Sequence, residues 1–183
     1  HLPLFLAALP RIARDYPSLE VTVFAAAALP DLPYRRRLAG FRLPGGGRPR
    51  LVREADYAER ARQDLVLTSS GTATLENALL GLPMVVVYKL SWPTYLLARA
   101  LIKIRHVAMP NLLAGKALVP ELIQHRATPG TVAGEALALL EDPRRLRALR
   151  TELLALRDAL GGPGAVGRAA EALLAEPALK SPL

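Results

Sequence analysis

The stretch Thr68-Ser69-Ser70-Gly71-Thr72-Ala73-Thr74-Leu75-Glu76 decides how this chain is read. It follows an apolar, strand-like run, Leu65-Val66-Leu67, and opens a helix-like run from Ala73 to Leu80. A strand, a turn of small residues and a helix start, in that order, can hold a diphosphate. The first N–H groups of a helix have no partner inside it, and the helix dipole places partial positive charge there. Gly71 lets the backbone approach an anion closely, while Ser70 and Thr72 add hydroxyl donors. Glu76 lies one turn beyond Thr72 on the same side of the helix. A carboxylate does not favour phosphate, but it can accept both hydroxyl protons of a ribose diol. The competing reading is a helix that is merely capped, since serine, threonine and an early acid are ordinary there.

Working outward, Leu4, Leu6, Leu9, Ile12 and Ala13 form a helical stripe within Leu2–Tyr16, stopped by Pro17-Ser18. Leu19 to Phe24 alternates like a strand, and Arg50 to Arg53 suits another. Pro30 to Pro49 is rich in proline and glycine and reads as loop, with a short helix around Arg35–Arg37. A helix is expected near Ala55–Arg62, a buried strand over Asp64–Thr68, and another over Pro83–Tyr88. Strands separated by helices predict βαβ units and a parallel sheet, hence an α/β, Rossmann-like fold. Helices are expected over Thr94–Ile104, Ala117–His125, Thr131–Leu140, Pro143–Leu160 and Gly164–Leu174. The organisation that follows is a Rossmann-like domain over residues 1–140 and a helical C-terminal tail over 141–183. Thr68–Gly71 and Tyr88–Leu90 fall at the carboxyl ends of strands, where open parallel sheets bind ligands.

Composition sets bounds on the chemistry. The 183 residues are 51% hydrophobic, enough for a cored domain. There is no cysteine, which excludes disulfides, thiolate metal sites and a thiol nucleophile. No Asp-x-Asp pair occurs, and Asp56, Glu59 and Asp64 read as solvated charge, so no metal is expected. His106 and His125 read as structural, the latter beside the end of a helix, and Met84 and Met109 as core. The chain opens at His1 inside a helical pattern, which predicts a piece of a longer protein. No apolar run reaches the roughly 18 residues of a membrane span. The net charge of +8 is uneven: Leu32 to Arg53 holds seven arginines and no acid. Lys89 to Lys116 is also basic throughout. Such stretches attract nucleotides or anionic lipid. They lack nucleic-acid-binding signatures, so no nucleic acid partner is expected. Trp92, Tyr95, Leu96, Leu97, Leu101 and Ile102, with Arg99, Lys103 and Arg105, suit either a packed helix or a membrane interface.

Three blocks in order then carry a family resemblance. They are Ser70-Gly71-Thr72-Ala73-Thr74-Leu75-Glu76, Pro83-Met84-Val85-Val86-Val87-Tyr88-Lys89, and Pro110-Asn111-Leu112-Leu113-Ala114-Gly115-Lys116 with Val119-Pro120-Glu121-Leu122 after it. Over about 60 residues the chain resembles the lipid-A-disaccharide synthases, inverting glycosyltransferases of the two-domain GT-B type. The first block is shared by many glycosyltransferases; the asparagine-containing block is more specific.

The resemblance implies the C-terminal, donor-binding half of such an enzyme. It implies transfer of 2,3-diacylglucosamine from UDP to 2,3-diacylglucosamine 1-phosphate, with UDP leaving. By position, Ser70, Gly71 and Thr72 would hold the diphosphate, Glu76 the ribose, and Asn111, Gly115 and Lys116 the donor pocket. The family's Gly-Ser-Arg loop would precede His1, and its acidic base would lie in the N-terminal domain, leaving no catalytic residue in this half. Lys116 stands where arginine is usual, and Leu32–Arg53 matches the family poorly. The implied setting is cytoplasmic, peripheral on the inner face of the membrane, with no cofactor or metal. In some members the tail crosses between subunits, so a homodimer with exchanged tails is allowed. The remaining alternatives are transfer from another UDP-sugar to a different glycolipid or cell-wall precursor, and a non-catalytic nucleotide-binding fragment.

Overall fold

In the computed structural model, which describes residues 1–26, 28–53, 56–92, 106–160 and 164–175, strands and helices alternate before a helical C-terminal region. Helix α1 (Leu2–Asp15) buries Leu6, Ala8, Leu9, Ile12 and Ala13, the stripe its spacing predicts. Strand β1 (Thr22–Phe24), helix α2 (Asp31–Leu38) and strand β2 (Arg50–Val52) form a first unit. Its strands pair in parallel, with Thr22 opposite Arg50. A 3-10 turn at Arg60–Arg62 leads to strand β3 (Val66–Ser69), helix α3 (Thr72–Leu79) and strand β4 (Met84–Tyr88). Helix α4 (Met109–Ala114), strand β5 (Glu121–Ile123) and a second 3-10 turn (Gln124–Arg126) follow. Helices α5 (Pro129–Leu140), α6 (Pro143–Ala159) and α7 (Ala165–Ala175) complete the order.

The second sheet has the order β3-β4-β5, all parallel, with Leu67 opposite Val85 and Val87 opposite Leu122. β4 is its centre. Met84, Val85, Val86 and Val87 are all buried, which explains why this strand reads as one apolar run without alternation. Helices α3 and α5 pack against it, α1 packs on α5, and α6 lies across α3 and α4. Leu67 of β3 contacts both the main core and the smaller one around Leu6, Leu9, Ala13 and Leu43, joining the two halves of the structure. The predicted α/β arrangement with a parallel sheet and a helical C-terminal region is therefore present.

Several local expectations are corrected. Ala117–His125 is not a helix: Glu121–Ile123 pairs with Val86–Tyr88 as β5, then turns. Edge pairing outweighs the weak helical preference of that segment. His125 is thus exposed in a 3-10 turn and not at the end of an α-helix. The helix expected near Ala55–Arg62 reduces to the turn Arg60–Arg62, Ala55 lying outside the described residues. Met84 is core as expected, but Met109 is 37% exposed. The block around Asn111 proves helical, with proline in the first turn of α4 and Gly115 ending it at φ 64°. The helix predicted over Thr94–Ile104, and with it Tyr95 to Arg105 of the amphipathic stretch, lies outside the described residues.

The arginine-rich stretch is partly paired. Asp31 accepts from Arg53 at 2.6 Å and Arg35 at 3.1 Å, and Arg50 pairs with Glu59. The hydrogen bonds from Arg53 and Arg35 hold the Asp31 carboxyl below its ordinary range. Its contribution is therefore present above that range and lost as acid protonates it. The arginines of these pairs are exposed, and only the Arg53–Asp31 pair ties α2 to the residue after β2, weakly.

Helix α6 starts on the Asp142 side chain, which accepts from the N–H groups of Arg144 and Arg145, both at 3.0 Å. It turns Leu149, Leu153 and Leu156 inward. Where it meets the end of α3, Arg157 donates to the Leu79 carbonyl at 2.7 Å. Leu153 is fully buried. Leu153→Ala should cost about 2–5 kcal/mol, read as a lower denaturation midpoint with an unchanged slope.

Candidate functional site

β3 ends at Ser69, and the next residue remains tied to the sheet. The Ser70 N–H donates to the Val87 carbonyl at 2.9 Å. The Ser70 hydroxyl donates to the Val107 carbonyl at 3.2 Å. Gly71 then adopts φ 148°, a conformation that L side chains rarely take. A Cβ here would meet nothing within 4 Å, so the backbone and not crowding requires glycine. Thr74 donates its hydroxyl back to the Gly71 carbonyl at 2.7 Å, fixing the first turn. Among the described residues no side chain caps the amides of α3, and Gly71 and Thr72 are exposed. The uncapped end sits at the carboxyl edge of β3 and β4 and opens to solvent. It presents the donors and partial charge that an anion takes.

Glu76 lies one turn along α3 and is half-buried. Its Oε2 accepts from Arg60 Nη1 at 2.9 Å. The Arg60 guanidinium lies 5.5 Å from the Phe24 ring centre and 5.2 Å from that of Tyr57. Among the described residues, Glu76 Oε1 accepts no hydrogen bond. Sequence reasoning found Glu76 but not Arg60, because an arginine outside any motif carries no signal of which carboxylate it will meet.

Asn111 is fully buried in α4. Its Oδ1 accepts from the N–H groups of Leu118 and Val119, each at 2.8 Å. Its Nδ2 donates to the Val119 carbonyl at 2.9 Å and to Glu121 Oε1 at 2.7 Å. The amide is thus occupied by protein on both sides. Glu121 continues the network: it accepts the Val107 N–H at 3.1 and 3.0 Å and the Ala108 N–H at 2.9 Å. A carboxylate from β5 thereby caps the start of α4. Val107 joins the two sides, since its carbonyl receives the Ser70 hydroxyl while its N–H goes to Glu121. Asn111 reaches the Ser70 loop through this network and not by direct contact.

Gly115 and Lys116 lie at the other end of α4. Both are exposed, and Lys116 pairs with Glu152 of α6 beside a shallow open groove formed with Leu118, Arg145 and Leu149. The structure brings Ser70, Gly71, Thr72 and Glu76 together and leaves Gly115 and Lys116 outside that cluster. Sequence reasoning also missed Gln124. It is buried at φ 50°, a strained backbone for a residue with a side chain. Its amide donates to the Leu90 carbonyl at 3.1 Å and accepts the Leu90 N–H at 2.9 Å, pinning the chain just past β4. Among the described residues, no group of three or more His, Cys, Asp or Glu could hold a metal.

Replacing Asn111 would orphan two N–H groups, one carbonyl and part of Glu121. Asn111→Ala should destabilise the chain by roughly 2–4 kcal/mol and weaken protection of the Leu118 and Val119 amides in hydrogen exchange. Unchanged stability and protection would contradict the structural role of the side chain.

Comparison with known proteins matches residues 50–170 to the family described as lipid-A-disaccharide synthetase. A lipid-A-disaccharide synthase of Syntrophus aciditrophicus is 50% identical over 121 residues, covering 66% of this chain and 32% of that protein. The synthase of Nitrosococcus oceani is 38% identical over 160 residues, covering 87% and 40%. That of Anaeromyxobacter dehalogenans is 41% identical over 173 residues, covering 94% and 44%. The chain thus spans about a third to under half the length of these curated relatives. With its Ser70–Glu76 turn and its Asn111 block inside the matched region, the chain belongs to the lipid-A-disaccharide synthetase family.

Proposed function

We propose that this chain supplies the donor-binding half of a glycosyltransferase of lipid A biosynthesis. The full reaction would transfer 2,3-diacylglucosamine from UDP to 2,3-diacylglucosamine 1-phosphate, giving the disaccharide 1-phosphate and UDP. The observation that carries the reading is the uncapped, exposed start of α3 at Gly71, with a carboxylate one turn away. The amides of Gly71, Thr72 and Ala73, with the hydroxyl of Thr72, take the diphosphate, while Ser70, whose hydroxyl donates to the Val107 carbonyl, holds the turn in place. As the glycosidic bond to UDP breaks, negative charge grows on the β-phosphate oxygens. Donors fixed by the fold stabilise that charge without reorganising, the part a metal plays in other transferases. Glu76 takes the ribose diol through its remaining oxygen. Asn111 sets the wall of the donor pocket through Glu121 and Val107.

Residues 1–140 make the nucleotide-sugar unit, and the tail begins at 141. The base that deprotonates the acceptor hydroxyl comes from outside this set of residues. The exposed arginines 36, 37, 42 and 48 support attachment to the anionic inner face of the cytoplasmic membrane. No helix among the described residues is long and apolar enough to cross it. A homodimer with exchanged tails would suit the exposed apolar residues Val166, Leu173 and Leu174 of α7.

Calorimetric titration with UDP, against ADP and GDP at varied salt, tests the reading. UDP should bind selectively; equal weak binding of all three, fading with salt, would reduce the site to general basic charge. Glu76→Ala should weaken UDP binding by about 1–3 kcal/mol in a folded protein. Unchanged affinity would remove Glu76 from the site.

A further inference from the structure

Arg60 belongs to none of the motifs that point to a nucleotide, yet it is closely held beside the site. It sits in the turn between β2 and β3, and its side chain is only 15% exposed. Its guanidinium lies 5.5 Å from the ring centre of Phe24, at the end of β1, and 5.2 Å from that of Tyr57. Cations are attracted to aromatic faces, and the planar guanidinium stacks on them as an ammonium cannot. From this seat Arg60 Nη1 reaches Glu76 Oε2 at 2.9 Å, bridging the first strand unit to α3.

Glu76 is a long, flexible side chain on the exposed side of a helix. Left alone it would sample many rotamers, and a ribose would have to select one. The bond to Arg60 engages one carboxylate oxygen, while the other accepts no hydrogen bond among the described residues. An oxygen fixed in this way is preorganised to accept from a hydroxyl. We infer that Arg60 is a positioning residue for nucleotide recognition. Seated against Phe24 and Tyr57, it fixes the Glu76 carboxylate so that its second oxygen reads the 2′-hydroxyl of the bound nucleoside diphosphate. The inference rests on the proposed nucleotide site and adds to it the residue that gives it preference for ribose over deoxyribose.

The test compares binding of UDP and 2′-deoxy-UDP to the chain by calorimetry, for the parent, Arg60→Met, Glu76→Gln and the double variant. Methionine keeps an unbranched apolar stem beside the rings and removes the charge. The parent should prefer UDP by about tenfold, as expected of a charge-assisted hydrogen bond. Arg60→Met should weaken UDP several-fold, weaken 2′-deoxy-UDP little, and so shrink the preference to about twofold. In the Glu76→Gln background, adding Arg60→Met should change neither affinity further, because the pair acts as a unit. If Arg60→Met lowers the melting temperature, Arg60→Lys keeps the charge but loses the planar fork, and should narrow the preference in the same way.

Equal loss for both nucleotides would overturn the inference and leave the site standing, as would a full Arg60 effect in the Glu76→Gln background. Tighter UDP binding by Arg60→Met would overturn it too, marking Arg60 as a competitor of the ribose. Absence of UDP binding in the parent would instead remove the nucleotide site itself.

Discussion

The carboxylate of Glu121 is the constraint on which the rest of the site depends. It is half-buried at the start of β5, where an acid has reason to sit only if its oxygens are satisfied. They are satisfied by the Val107 and Ala108 amides and by Asn111. Hydrogen bonds to a charged group contribute about 1.5–3 kcal/mol each, more than neutral ones. Three elements follow from that one group. α4 acquires a cap its own sequence lacks, since Ala108 makes no side-chain bond. The strand β5 is fixed in register beside β4. Val107 is held with its carbonyl towards Ser70, so the anion-facing loop inherits its position from a carboxylate two strands away.

Gly71 and the first turn of α3 carry the electrostatic side of the site. Their donors are backbone groups, fixed by the Ser70–Val87 bond before the turn and by Thr74 within it. Backbone donors suit a departing diphosphate better than lysine side chains would, because they neither reorganise nor lose rotamer freedom on binding. Glu76 adds the opposite charge one turn away, and Arg60 compensates it where no phosphate is expected. In the proposed reading, the positive helix end for phosphate and the anchored carboxylate for the diol are kept apart by the pitch of one helix.

Much of this was legible in the sequence, for identifiable reasons. β4 was found because a central parallel strand is apolar on both faces, and α1 because its buried stripe follows the helical period. The Ser70–Glu76 turn was found because small residues between a strand and a helix leave few alternatives. β5 was missed because three residues of edge pairing carry almost no periodic signal, and Pro120 and Glu121 resemble a helix start. The role of Asn111 was legible only in part. A buried amide with every bond taken by protein looks, in sequence, the same as one that faces a ligand. Gln124 and Arg60 were invisible because their partners, Leu90 and Glu76, are joined to them by folding and not by sequence spacing.

Nuclear magnetic resonance of the chain titrated with UDP tests the central claim most directly, because it reports each backbone amide separately. The amide resonances of Gly71, Thr72 and Ala73 should shift the most as the diphosphate takes their hydrogen bonds. Saturating UDP that leaves those three in place, while moving amides elsewhere, would contradict the assignment of the diphosphate to the start of α3.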